Sequence, residues 1–305
     1  MPTARVAFLT LLAMIAFACN SLLCRLALKH TSIDAATFTA VRIATGALVL
    51  WIIVRAQRGT PTRSGSGTWL SALALFVYAG GFSFAYVSLP ASTGALLLFG
   101  AVQATMIGRG VWMGERLRKW QLVGLALALG GLLGLFLPGV SAPPLFGSLL
   151  MLSAGAAWGI YSLRGRGAGD ATRVTAGNFL RAVPIAVGLS LLMHDSSMFD
   201  VTGLLYAVAS GAVASGIGYA IWYTALPALK ATSAATVQLS VPVITAVGAM
   251  IFLDEALTVR FVVASVAILG GIALVIVERG RAHAIAPEAA QPLSTDLNKR
   301  ETKTP

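Results

Sequence analysis

Two arginines stand where an ionised side chain is costly. Arg42 lies eight residues into an apolar stretch that begins at Ala35, and Arg181 occupies the matching place 139 residues later. Eight residues of helix put such a side chain about 12 Å below the end of its span. A charge at that depth costs at least ~2.5 kcal/mol, so it turns toward a water-filled cavity or a partner. The planar guanidinium fork fits a carboxylate or phosphate. One reading is therefore attraction of an anionic group, and the other is a structural tie to backbone carbonyls at a neighbouring helix end. Both readings stand at this point. Asn20, Ser21, Tyr78, Tyr86, Gln103, Trp158, Tyr161, Asn178, Tyr219, Trp222, Tyr223 and Gln238 also fall inside apolar stretches. An apolar pocket with a few placed polar groups suits a small ligand, and an aromatic face can hold a cation or a ring. Trp and Tyr equally mark the headgroup level. Amides in hydrocarbon need partners, which favours Gln103, Asn178 and Gln238.

The groups that are missing limit the chemistry. No Asp or Glu lies deep in an apolar stretch; Glu115 and Glu255 sit at stretch ends, and His30, His194 and His283 lie outside. A carboxylate or histidine proton relay has little support. Cys19 and Cys24 share one apolar run five residues apart, which offers neither a disulfide framework nor a metal site. With no histidine in a span and no Gly-x-Ser-x-Gly, no catalytic constellation, metal or cofactor is expected.

The elements that would position these side chains follow from composition. The 305 residues are 57% hydrophobic and 11% charged, with mean hydropathy +0.83. Soluble domains are roughly half apolar and about a quarter charged. This is an all-α integral membrane chain. The net charge of +11 is spread through short breaks between apolar runs, which points to anionic lipid headgroups at the cytoplasmic face and away from nucleic acid. Arg5 and the run Ala16 to Cys19 faintly resemble a cleavable signal, but the apolar run continues to Leu28. An uncleaved first span is expected.

About 20 apolar residues cross a bilayer, and ten stretches qualify: Val6 to Leu28, Ala35 to Val54, Trp69 to Leu89, Ala91 to Met113, Trp120 to Leu137, Leu145 to Leu163, Val174 to Met193, Val201 to Leu226, Ala231 to Leu253 and Val259 to Val277. Spans three and four, and eight and nine, are joined so tightly that each pair must be a helical hairpin. With the amino terminus inside, cytoplasmic segments collect sixteen Lys and Arg and outer segments two, Lys29 and Arg260. Both termini are expected in the cytoplasm of a multi-pass cytoplasmic (inner) membrane protein.

The chain also repeats itself. At an offset of 140 residues Ala91 falls on Ala231, Thr105 on Thr245, Gly108 on Gly248, Glu115 on Glu255 and Leu117 on Leu257, and Gly130-Gly131 falls on Gly270-Gly271. Arg25/Arg164 and Arg42/Arg181 extend the match at an offset of 139. Residues 1–139 and 140–278 are thus expected to be two five-helix repeats, and 279–305 a disordered cytoplasmic tail. Five is odd, so the second copy enters from the opposite face. Inverted repeats of this kind recur in secondary transporters. Gly130 and Gly134 read as a small-xxx-small contact stripe, within the subunit or between the copies of a homodimer.

The sequence resembles the EamA type of the drug/metabolite transporter superfamily. The residues that carry the likeness are Gly114-Glu115-Arg116-Leu117 with Gly130-Gly131, their copy at Asp254-Glu255-Ala256-Leu257 with Gly270-Gly271, Pro242, Trp158-Gly159, Arg42 and Arg181. The resemblance covers Val6 to Val277. It implies ten helices, a cavity between the halves lined by spans one to four and six to nine, and spans five and ten at the periphery. It implies export of small metabolites such as amino acids. Val102 and Cys19-Asn20 depart from the family pattern, which has proline and Trp-Gly there.

The function expected is export of a small zwitterionic or anionic substrate by alternating access. The alternatives are a broad exporter of amphipathic drugs, against which the deep arginines argue, and, remotely, a membrane-embedded enzyme.

Overall fold

The computed structural model describes residues 3–57, 66–137, 142–165, 169–193, 200–229 and 231–285. Ten helices among them are long and apolar enough to cross a membrane. They run α1 (Thr3–His30), α2 (Ala35–Ala56), α3 (Trp69–Tyr86), α4 (Ala91–Trp112), α5 (Lys119–Phe136), α6 (Leu145–Gly165) and α7 (Ala171–Leu192). The eighth span is α8 (Val201–Ala209), a π-helical stretch (Ser210–Ile217) and α9 (Gly218–Ala225); the ninth is α10 (Ala231–Gln238) and α11 (Ser240–Phe252); the tenth is α12 (Val259–Ile285). The helix α12 thus runs beyond Glu278, where a tail was expected to begin. The rest of that tail lies outside the described residues.

Local chemistry sets the starts and breaks. Asp34 Oδ1 accepts the N–H of Ala36 and Thr37 at 2.9 and 2.8 Å, which fixes the start of α2. Asp170 and Asp200 cap α7 and α8 in the same way. The ninth span breaks at Leu239 because Pro242 has no N–H to offer the Gln238 carbonyl. The π-helical stretch has a packing counterpart. A side chain at Gly211 would strike Thr45 and the Arg42 carbonyl, so only glycine lets this stretch press onto α2.

Two turns carry the repeat into three dimensions. Gly114 and Asp254 occupy equivalent positions and both have positive φ, 91° and 52°. Each turn closes the end of its helix, with the Met113 N–H on the Arg109 carbonyl and the Leu253 N–H on the Ala249 carbonyl.

The core draws residues from every span, with Leu135 from α5 and Phe261, Ala264, Ile268 and Ile272 from α12. The pair α5 and α12 stands to one side: α5 is 22% buried along its span, against 39–61% for the other nine. Their contact is reciprocal. A side chain at Gly124 would meet the Gly271 carbonyl, one at Gly271 would meet that of Gly124, and Gly131 faces Ala264 and Ala267. The expected stripe of Gly130 and Gly134 does not make this contact, since neither has a neighbour within 4 Å of an added Cβ. Gly131 is one residue, and so about 100° of helix, away from Gly130.

Candidate functional site

A polar chain crosses the middle of the bundle. Ser210 Oγ, in the π-helical stretch, donates to Asn20 Oδ1 at 2.6 Å. Asn20 Nδ2 donates to the Tyr78 hydroxyl at 3.4 Å, and Arg42 Nη2 donates to the same oxygen at 3.0 Å. Because that oxygen receives two donors, the Tyr78 proton is left to point elsewhere. The Arg42 guanidinium lies 4.7 Å from the Phe82 ring centre and 5.3 Å from that of Tyr78. It is 2% exposed, its Nη1 has no hydrogen-bond partner, and no described carboxylate lies within 4 Å of it. Rings and a phenol oxygen only partly replace water around a buried cation.

Beside this chain lies a cavity of about 30 Å³, room for roughly one water. Its wall includes Phe17, Asn20, Ser21, Tyr78, Phe82, Phe99, Trp158, Tyr219 and Gln238. Trp158 is stacked between Tyr161 (5.2 Å, 23°) and Tyr219 (5.3 Å, 18°). A larger void of about 290 Å³ lies between α4, α5, α6 and α12, but its wall is almost wholly aliphatic. The polar groups converge on the smaller cavity, which must widen to admit anything larger than water.

The structure distributes the expected residues unevenly. Asn20, Trp158, Tyr219 and Gln238 reach the cavity wall, and Arg42 stands behind it through Tyr78. Tyr161 backs Trp158, while Trp222 packs on Phe17 at 6.1 Å and Tyr223 neighbours Tyr219 at 6.4 Å. Gln103 is buried in α4 away from the wall. Asn178 is used for framework: its Oδ1 accepts the Thr68 N–H at 2.9 Å and its Nδ2 donates to Tyr161 at 3.3 Å. Arg181 donates to the Ser66 carbonyl just before α3 at 2.6 Å and to the Gly177 carbonyl one turn back in its own helix at 2.9 Å. The two equivalent arginines therefore have different surroundings.

Sequence reasoning missed Phe17, Phe82, Phe99 and Ser210. Helical spacing carried part of the signal, since Phe17, Asn20 and Ser21 share one face of α1 and Tyr78 and Phe82 one face of α3. Ser210 had none, because the π-helical turn that aims it is a tertiary feature.

Comparison with known proteins agrees with this architecture. An uncharacterized protein of Pseudomonas aeruginosa is 56% identical over 285 residues, covering 92% of this chain and 98% of that protein. An Escherichia coli protein named "Probable amino-acid metabolite efflux pump" is 28% identical over 199 residues, 60% of this chain and 67% of that one. One crystal structure superposes with TM-score 0.65 at 18% identity, covering 90% of this chain and 98% of the other, a likeness of fold alone. The model of the EamA-like transporter family matches twice, over residues 4–137 and 145–277. Both repeats are thereby accounted for, and the chain belongs to the EamA-like transporter family.

Proposed function

We propose that this membrane transporter exports small zwitterionic or anionic metabolites, amino acids among them, by alternating access between its two repeats. Its place is the cytoplasmic (inner) membrane with both termini in the cytoplasm, as the sixteen-to-two distribution of Lys and Arg supports. The observation that carries the substrate class is Arg42: a buried cation with an unmatched nitrogen, beside a phenol on the cavity wall. A carboxylate entering the widened cavity would accept a hydrogen bond from the Tyr78 hydroxyl and a charge-assisted one from Arg42. The name of the Escherichia coli relative is consistent with that class.

A second reading, export of amphipathic drugs, draws on the aromatic wall of Phe17, Phe82, Phe99, Trp158 and Tyr219. Metabolite profiling of medium and cells with and without the protein separates the two, followed by counterflow in proteoliposomes on the compounds that change. Carboxylate-bearing metabolites that are pumped by the parent and lost in Arg42→Gln support the first reading. Equal transport of every such compound by both proteins refutes it.

A further inference from the structure

One end of the bundle carries a knot of polar contacts between the two repeats. Glu255, just after α11, accepts the Ala91 N–H at 2.9 Å and the Ser92 N–H at 3.4 Å, and Ser92 Oγ donates to it at 3.4 Å. Arg25 Nε stands 3.6 Å from the same carboxylate. Arg25 Nη1 donates to the Tyr86 and Val87 carbonyls at 2.8 and 3.0 Å, and one turn on, Lys29 Nζ donates to the Leu253 carbonyl at 3.1 Å. The knot joins α1, the end of α3 and the start of α4, all in the first repeat, to the end of α11 in the second. It crosses the seam.

The repeat puts Arg164 in the place of Arg25 and Glu115 in that of Glu255. The side chains of Arg25 and Glu255 are 13% and 9% exposed, whereas Arg164 and Glu115 are both exposed residues. Symmetry would aim Arg164 at the end of the eighth span; it donates instead to Ser71 Oγ on α3 at 3.1 Å. Likewise α1 packs along α11 and touches α4, while its counterpart α6 packs along α4 and makes no comparable contact with α10 or α11. Equivalent sequences thus occupy two environments at the two ends.

We infer that Glu255 and Arg25 form the gate at this end of the pathway, closed in this structure, and that its release is the step that opens the cavity to that face. The inference rests on the alternating-access reading. A carboxylate held by two N–H groups at a helix start and a guanidinium beside it is a charge-assisted lock. Weakening it multiplies the ratio of open to closed form by a factor that grows exponentially with the energy removed. Neither residue lines the cavity, so both act by positioning helices.

The test is labelling of the full chain in membranes. With Cys19 and Cys24 replaced by Ala and Ser21→Cys as reporter on the cavity wall, an impermeant maleimide is added from the face that carries Glu255. Glu255→Gln and Arg25→Gln should each raise the labelling rate at least about fivefold, and Arg164→Gln should not raise it. Equal rates in all four proteins overturn the gate. Hydrogen exchange in the protein with native cysteines gives a second measurement. The Ala91 and Ser92 amides should exchange faster in Glu255→Ala, and unchanged protection likewise overturns it. Neither readout uses substrate. Normal export with unaltered labelling therefore sinks the gate alone, and altered labelling without carboxylate export sinks only the substrate reading.

Discussion

Glu255 and Glu115, the two copies of one repeat position, stand at opposite ends of the same helix. Glu255 caps the N-terminus of α4 through Ala91 and Ser92, and Glu115 follows the C-terminus of α4. The helix has 22 residues, so the two sites are separated by about 33 Å, the thickness of a bilayer core. Equivalent residues on opposite faces are what an inverted repeat demands. Had both fallen at one end, the halves would have been parallel copies.

Arg42 gives the sharpest test of structure against function. A tie that holds the bundle should destabilise the protein when cut, whereas a buried cation awaiting a ligand should be a liability until one arrives. Replacing a buried ion pair by well-packed apolar groups is often neutral or stabilising by about 1–4 kcal/mol, and Arg42 has no described carboxylate within 4 Å to offset its burial. Arg42→Met should therefore raise the thermal midpoint of substrate-free protein while carboxylate counterflow falls at least about tenfold. Arg181→Met should lower the midpoint, because it cuts the bonds to Ser66 and Gly177. Melting curves and counterflow on both variants decide the matter.

Tyr78→Phe removes the oxygen that serves Arg42 and Asn20 together. Leaving those donors unmatched costs about 1–3 kcal/mol. The expected result is a lower thermal midpoint together with weaker carboxylate binding, read as a rise in KM. Tyr206→Phe, on α8, should change neither.

The contact between α5 and α12 depends on backbones that touch. Gly271→Leu must push the Gly124 carbonyl away and should cost roughly 1–3 kcal/mol or more. Gly270→Leu, where an added Cβ meets nothing within 4 Å, should stay within about 0.5 kcal/mol of the parent. Equal effects of the two would mean that the helices do not meet along this face.

Asp200 predicts a pH dependence. The Gly203 N–H at the start of α8 holds its carboxyl below the usual carboxylate range. A group depressed in the folded state adds stability above its unfolded pKa, about 3.9, and that stability is lost as pH falls through the lower folded value. Asp200→Asn should flatten the acid limb of a melting-temperature profile below about pH 4.

Much of the fold is legible in the sequence. The ten spans follow from hydropathy and length, since a bilayer accepts only helices of that size from such residues. The inversion followed from an odd helix count. The sites were less legible. Arg42 and Arg181 look alike in sequence because each sits at the same depth in its second span, and the repeat hides that one meets Tyr78 and the other Ser66. Asn178 is a candidate by the rule that amides need partners, and the structure gives it the start of α3 and Tyr161 as partners.

The sequence alone determined what local and one-dimensional patterns can fix: membrane class, span count, the repeat and its inversion, and the presence of arginines too deep to be ordinary. Only the tertiary structure decided which equivalent residue does which task. The two halves carry similar helices but pack against different neighbours at each end of the bundle, and the environment of a side chain is a property of its neighbours in space. The seam between Arg25 and Glu255 joins residues 230 positions apart, a distance over which no periodicity reaches.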